Sequence, residues 1–244
     1  MPNPRRTLRQ LARWPLGLLA LIWATFLVDH YFVGRALSHW YGLHTRELAG
    51  LPGIGMAPLL HSGWAHLLSN SFPFLTLSGL LVFFYPRLWP RVLLSLWLGT
   101  GALVWAFGRS VTHIGASGVV YALAAFLAFS GIFRRDLRAV VVSLVVLFYY
   151  GGMVVGILPG QEGISWESHL LGLVMGVLAA YVYRDELEDH EIESQRRREE
   201  RRRPRPKQPF LDDDALTKTK QERANEAFWE KLRQAAEAPE REDY

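Results

Sequence analysis

The run His61-Ser62-Gly63-Trp64-Ala65-His66-Leu67-Leu68-Ser69-Asn70 stands at the head of an uncharged stretch that continues to Tyr85. A helix needs roughly 20 apolar residues to cross the hydrocarbon core of a bilayer. Residues 66–85 have that length, yet the stretch opens on a histidine and an asparagine. Polar side chains inside a membrane are costly and require partners. The run therefore predicts one span of a bundle whose interior is polar at that end.

Five further spans follow from the same criterion, at residues 14–33, 90–107, 117–133, 137–158 and 166–183. The predicted fold is an all-α membrane protein with six transmembrane helices. The chain has 244 residues and half of them are hydrophobic, yet its mean hydropathy is only +0.08. The average covers two unlike parts. Residues 14–184 are the predicted membrane domain, preceded by a short cytoplasmic segment, 1–13. Residues 185–244 form a charged tail, with an acidic stretch from Asp185 to Glu193, a basic run from Arg196 to Arg205, and then Pro204, Pro206 and Pro209. Its apolar residues are too sparse for a core, so disorder is expected there, with room for a short helix near 224–236. The basic run could meet anionic headgroups or be solvated.

Arginines set the orientation. Arg5, Arg6, Arg9, Arg13, Arg87, Arg91, Arg134, Arg135 and Arg138 fall on one side of the predicted spans, and only Arg35, Arg46 and Arg109 on the other. Both termini are thus expected in the cytoplasm, and the long loop 34–60 outside it, partly embedded. The first span lacks a small-residue cleavage site and reads as a retained helix, not a signal peptide. With no cysteine in the chain, disulfides and thiol nucleophiles are excluded. The net charge of +4 reflects arginines flanking spans and is no sign of nucleic-acid binding. No cofactor or metal is expected.

Three polar clusters carry the chemistry. His66 and Asn70 lie four apart, on one helix face, and can each donate a hydrogen bond to a developing oxyanion. They could equally join helices to each other, or, with His61, bind zinc. In Gly115-Ala116-Ser117-Gly118 a serine is flanked by glycines where a loop enters a helix, a place that favours negative charge. Small-residue packing is the competing explanation. Ser168-His169 precedes Gly172 and Gly176, whose spacing lets another helix approach closely. If that helix carries Ser117, His169 can take its proton; otherwise His169 is a buried core histidine. All three clusters lie at the outward ends of their spans.

Together these residues resemble the rhomboid family of intramembrane serine proteases. The resemblance covers about residues 61–183 and rests on His-x4-His-x3-Asn, on Gly-x-Ser-Gly, and on His-x2-Gly-x3-Gly, in that order. It implies a Ser117–His169 dyad, with His66, Asn70 and backbone N–H groups of Ser117 and Ala116 stabilising the oxyanion. His61, Gly115, Gly118, Gly172 and Gly176 would be supporting residues, and Tyr121 would pack on the catalytic imidazole. The outer loop lacks the Trp-Arg pair of many relatives, and Ser168 stands where many have alanine. Implied partners are membrane lipid and transmembrane protein substrates with helix-weakening residues at the cut. Entry would be beside the fifth span, weakened by Gly151, Gly152 and Gly156, with 158–165 as a lid. Implied location is the bacterial inner membrane, with the site open to the periplasm. A catalytically dead chaperone relative and a histidine-relay transporter are the alternative readings. The sequence leaves the oligomeric state open.

Overall fold

The computed structural model describes residues 4–134, 136–159, 165–202 and 217–237. Two compact units divide the chain, Met1–Arg196 and Arg197–Tyr244. In the first, α1 (Pro4–Leu27) runs on as a π-helical turn, Val28–Phe32. The long helices that follow are α4 (Trp64–Phe84), α5 (Trp89–Phe107), α6 (Ser117–Arg134), α7 (Leu137–Tyr150) and α8 (Trp166–Val182). Two short helices, α2 (Ala36–Tyr41) and α3 (Gly53–Met56), lie between α1 and α4.

Five segments among the described residues are long and apolar enough to cross a membrane: Arg13–Phe32, Trp64–Phe84, Trp89–Phe107, Ser117–Arg134 and Leu137–Ile157. The chain is an all-α integral membrane protein. The sixth predicted span is present as α8, but its 17 residues fall short of that length. At about 1.5 Å per residue it is roughly 26 Å long, against a hydrocarbon core of about 30 Å.

Local sequence explains where these helices begin. Pro90 sits in the first turn of α5, where its missing N–H is no loss. The Asp136 carboxylate caps α7 by accepting from the Arg138 and Ala139 amides. Ser165 caps α8 by accepting from the Ser168 amide. Helix α7 does not stay α-helical to its end. At Gly151, the first of three glycines, it changes to a 3₁₀ stretch, Gly151–Ile157. That is where the sequence predicts weakness.

Helix α6 occupies the centre. Of its apolar window 61% is buried, against 17% for the window that contains α7. Its Leu123 and Phe126 are fully buried, in one core with the equally buried Phe26, Phe74, Leu77 and Leu81.

The segment between α1 and α4 is held by polar side chains whose role the sequence did not announce. Buried Asp29 accepts hydrogen bonds from the Leu37 and Ser38 amides and from the Ser38 hydroxyl, fixing α2. Strand β1 (Leu43–His44) pairs antiparallel with β2 (Thr112–His113), Leu43 opposite His113. Arg46, at φ 58°, donates to the Gly108 carbonyl at 2.7 Å and to the Ser110 hydroxyl at 2.9 Å. Two indoles complete the fastening: Trp97 donates to the Gly55 carbonyl and Trp105 to that of Glu47. Arg46 thus ties this loop to the end of α5 without a Trp-Arg pair.

At the opposite end the first unit extends past residue 184. Arg134 is buried and bonds the carbonyls of Tyr183 and Glu186, the Glu191 carboxylate, and the face of the Tyr85 ring. Buried Glu188 accepts from the amides of Arg87 and Leu88 at 3.0 Å each. Burial holds its carboxyl above the usual carboxylate range, against the pull of those two donors. The chain forms α9 (Asp189–Arg202), where disorder was expected, and, in the second unit, α10 (Lys220–Glu237), which takes in the short helix allowed near 224–236. Thr219 and Glu222 cap α10 reciprocally, an arrangement that stabilises a helix without a core. The prolines at 204, 206 and 209 lie outside the described residues, as do Arg135 and positions 160–164 of the proposed lid.

Candidate active site

The turn before α6 is built around Gly115. Its φ of +112° lies in the region that side-chain-bearing residues avoid. A Cβ there would also sit 2.6 Å from His66 Nε2, so the His66 ring lies directly over this turn. The Gly115 amide donates to the Ala57 carbonyl at 2.8 Å, which ties the turn to the outer segment. Ser117 is the first residue of α6 and is half-buried.

Helix α8 meets α6 backbone to backbone, the most extensive helix contact in the fold. A Cβ on Gly172 would collide with the Gly118 carbonyl, and one on Gly176 with the Ala122 carbonyl. A Cβ on Gly118 would lie 3.1 Å from the Ser168 carbonyl. The Gly-x3-Gly spacing therefore does what it predicts, bringing the first turn of α8 against the first turn of α6.

That approach places His169 among α6 side chains. Its ring stacks on Tyr121, with centroids 4.2 Å apart and planes 8° from parallel. Its Nδ1 is 2.8 Å from the Gly156 carbonyl in the 3₁₀ stretch, and the Tyr121 hydroxyl donates to the Met153 carbonyl at 2.7 Å. A carbonyl can only accept, so Nδ1 carries the proton of the neutral ring and Nε2 keeps a free lone pair. Gly156 is confined as well, since a Cβ there would run into the Tyr121 hydroxyl.

The remaining predicted residues gather at the same end. The His61 and His66 ring centroids are 5.0 Å apart. His66 Nδ1 lies 3.1 Å from the Ser62 hydroxyl, and the Asn70 amide donates to the His66 carbonyl at 2.9 Å. His61 is fully buried, and its pKa is lowered to about 4, by burial first and then by the neighbouring His66. It is neutral at pH 7, and its Nε2 accepts a long bond, 3.4 Å, from the Ala116 amide. That amide, expected to face an oxyanion, is thus turned to His61 in this state. Among the described residues no hydrogen bond joins Ser117 to His169, and no cluster of His, Asp and Glu is arranged to hold a metal.

Sequence reasoning missed a second polar cluster beside this one. His113, in β2, is buried and bonded to the Ser165 hydroxyl, and Glu167 is buried in an ion pair with Arg109. The only available signal was position: His113 lies four residues before Ser117, and Glu167 two before His169. A cavity of about 30 Å³ behind the Ser117 turn is lined by Thr100, His113, Gly115, Gly118 and Ser168, among others.

A family model described as the Rhomboid domain matches residues 48–186. Uncharacterized proteins of Mycobacterium tuberculosis and Mycobacterium bovis are each 37% identical over 191 residues, covering 70% of this chain and 76% of theirs. An uncharacterized protein of Mycobacterium leprae is 32% identical over 204 residues, covering 74% of this chain and 76% of its own length. The matched segment contains the Ser117 turn, both histidine-bearing helix starts and the glycines that join α6 to α8, and this chain belongs to the rhomboid family.

Proposed function

We propose that the chain is an intramembrane serine endopeptidase with Ser117 as nucleophile and His169 as its base. The observation that carries this reading is the hydrogen bond from His169 Nδ1 to the Gly156 carbonyl. It leaves the imidazole with Nε2 unprotonated, the form a general base requires. Stacking on Tyr121 restrains the ring's tilt, and the glycine contacts between α6 and α8 limit its distance from the Ser117 turn.

In this scheme Ser117 Oγ rotates toward Nε2 and attacks the substrate carbonyl while His169 takes its proton. His169 then returns that proton to the leaving amine, and a water repeats the sequence on the acyl-enzyme. The oxyanion is stabilised by side-chain donors of His66 and Asn70 and by the Ser117 amide at the start of α6. The Ala116 amide joins them only on leaving His61. Six crossings with both termini cytoplasmic put the site at the periplasmic side of a bacterial inner membrane, acting on transmembrane proteins. Residues 14–184 would form the catalytic domain.

The test is cleavage of a tagged single-span substrate in liposomes. Wild type should give product, and Ser117→Ala and His169→Ala should each lose at least about a thousandfold in rate. A fluorophosphonate should label wild type and not Ser117→Ala. Equal product from all three proteins would reject the assignment. Neither product nor label from wild type would favour the catalytically inactive relative.

A further inference from the structure

His113 makes two contacts in opposite directions. Its Nε2 is 3.0 Å from the Arg109 carbonyl, within its own segment. Its Nδ1 is 2.6 Å from the Ser165 hydroxyl and 3.3 Å from the Ser168 hydroxyl, across to α8. The carbonyl only accepts, so Nε2 is the protonated nitrogen, and Nδ1 must accept from a serine. Burial lowers the pKa of His113, which favours this neutral ring.

Ser165 is the N-cap of α8. It accepts from the Ser168 amide, and its hydroxyl is 2.8 Å from the Ser168 hydroxyl. One imidazole is therefore bonded to the cap and first turn of the helix that carries His169. Its own backbone is fixed by pairing with β1, and the Arg109 carbonyl it bonds is also held by the Thr45 hydroxyl at 3.0 Å. His113 precedes Ser117 by four residues and Ser168 immediately precedes His169. The bond thus spans the two segments whose separation sets the distance between the two reactive groups. The Arg109–Glu167 pair spans the same gap, but its arginine is 55% exposed and so contributes less.

We propose that His113 is a positioning residue: by accepting from the α8 cap it holds the His169 turn in register with the Ser117 turn. This rests on the Ser117–His169 protease reading. A misplacement of about 1 Å can cost on the order of a hundredfold in rate, so a loosened cap is expected in kcat and not in KM.

The two contacts can be removed separately. An asparagine at 113 places its amide near the Nδ1 position and can keep the bond to Ser165. A glutamine reaches the Nε2 position and keeps only the bond to Arg109. His113→Ala and His113→Gln should lower kcat at least about tenfold at unchanged KM, while His113→Asn stays within about threefold of wild type. Fluorophosphonate labelling of Ser117 should slow in the same order. Amide hydrogen exchange over residues 165–170 should accelerate in the alanine and glutamine proteins and not in the asparagine one. This readout needs no activity, so it tests the inference even if wild type neither cleaves nor labels, a result that would sink the protease reading alone. Comparing asparagine with glutamine keeps the test valid should the alanine protein not fold. The inference is overturned if glutamine matches or exceeds asparagine, if the loss falls in KM, or if exchange over 165–170 is the same in all four proteins.

Discussion

Of the helices packed on α6, α8 and α7 make the two largest contacts, and they do so by different means. Against α8 the contact is backbone on backbone, through Gly118, Gly172 and Gly176, and it is tightest beside Ser117. Against α7 the close approach is near the other end, where a Cβ on Gly131 would meet the Ser143 hydroxyl and the Ala139 carbonyl. Ser143 accepts from the Gly131 amide at 3.0 Å and sits 3.0 Å from the Leu127 carbonyl and 2.8 Å from that of Ala139. Beyond that point Val146 stays buried, but Leu144, Leu147, Tyr149 and Phe148, the last 82% exposed, face outward, and α7 ends in the 3₁₀ stretch. A seam of backbone contacts at the reactive end cannot give there, whereas a seam pinned at the far end can. The rigid seam lies under the proposed dyad, and the yielding one leads to the carbonyls that orient its imidazole.

The strongest way to break the contrast is Gly172→Leu. Its Cβ meets a carbonyl that belongs to a helix and cannot swing aside. Cleavage should fall more than about a hundredfold with a lowered melting temperature, since overpacking costs about 1–3 kcal/mol even where the backbone adjusts. Next is pH. His61 has a folded pKa of about 4 against an unfolded value of 6.5, so the unfolded chain binds the extra proton. Stability contributed by neutral His61 is complete above pH 6.5, declines as pH falls toward about 4, and levels off below that. The loss is on the order of 3 kcal/mol. Denaturant unfolding across this window should show the slope in wild type and a shallower one in His61→Gln. Gly156→Ala disturbs only the yielding side. It pushes on the Tyr121 hydroxyl, and cleavage should drop about tenfold with the melting temperature nearly kept. Ser143→Ala should do the reverse, costing about 1 kcal/mol in unfolding free energy and leaving cleavage unchanged. If Ser143→Ala impaired cleavage as much as Gly172→Leu, the two seams would not be functionally distinct.

The helices were legible in the sequence because length and hydropathy are local properties. The Gly172 and Gly176 seam was legible too, since its spacing requires a close partner and Gly115-Ala116-Ser117-Gly118 supplies a small-residue surface. What escaped were contacts between distant positions with no repeating pattern. Asp29 caps α2 from eight residues before Leu37, a spacing that matches no local capping pattern. The two-residue pairing of Leu43 with His113 is too short to leave any alternation of residues. Arg46 fastens the outer loop through backbone carbonyls, which every sequence contains. Arg134 was counted only as a flanking charge. Its burial depends on Glu191, 57 residues away, and on two main-chain oxygens. The charged composition just after Arg184 suggested no structure there, because the partners that order Glu188 and Glu191 lie in the bundle.

The winding of the short stretch after α7 has a geometric result of its own. With three residues per turn, positions three apart eclipse one another, spaced by about 6 Å along the axis. Met153 and Gly156 are such a pair, and theirs are the oxygens that receive the Tyr121 hydroxyl and His169 Nδ1. In an α-helix the same two oxygens would diverge by about 60° around the axis, and one flat stack of phenol and imidazole could not address both. The stretch thus works as a two-notch gauge, cut by its pitch to the spacing of the rings it aligns.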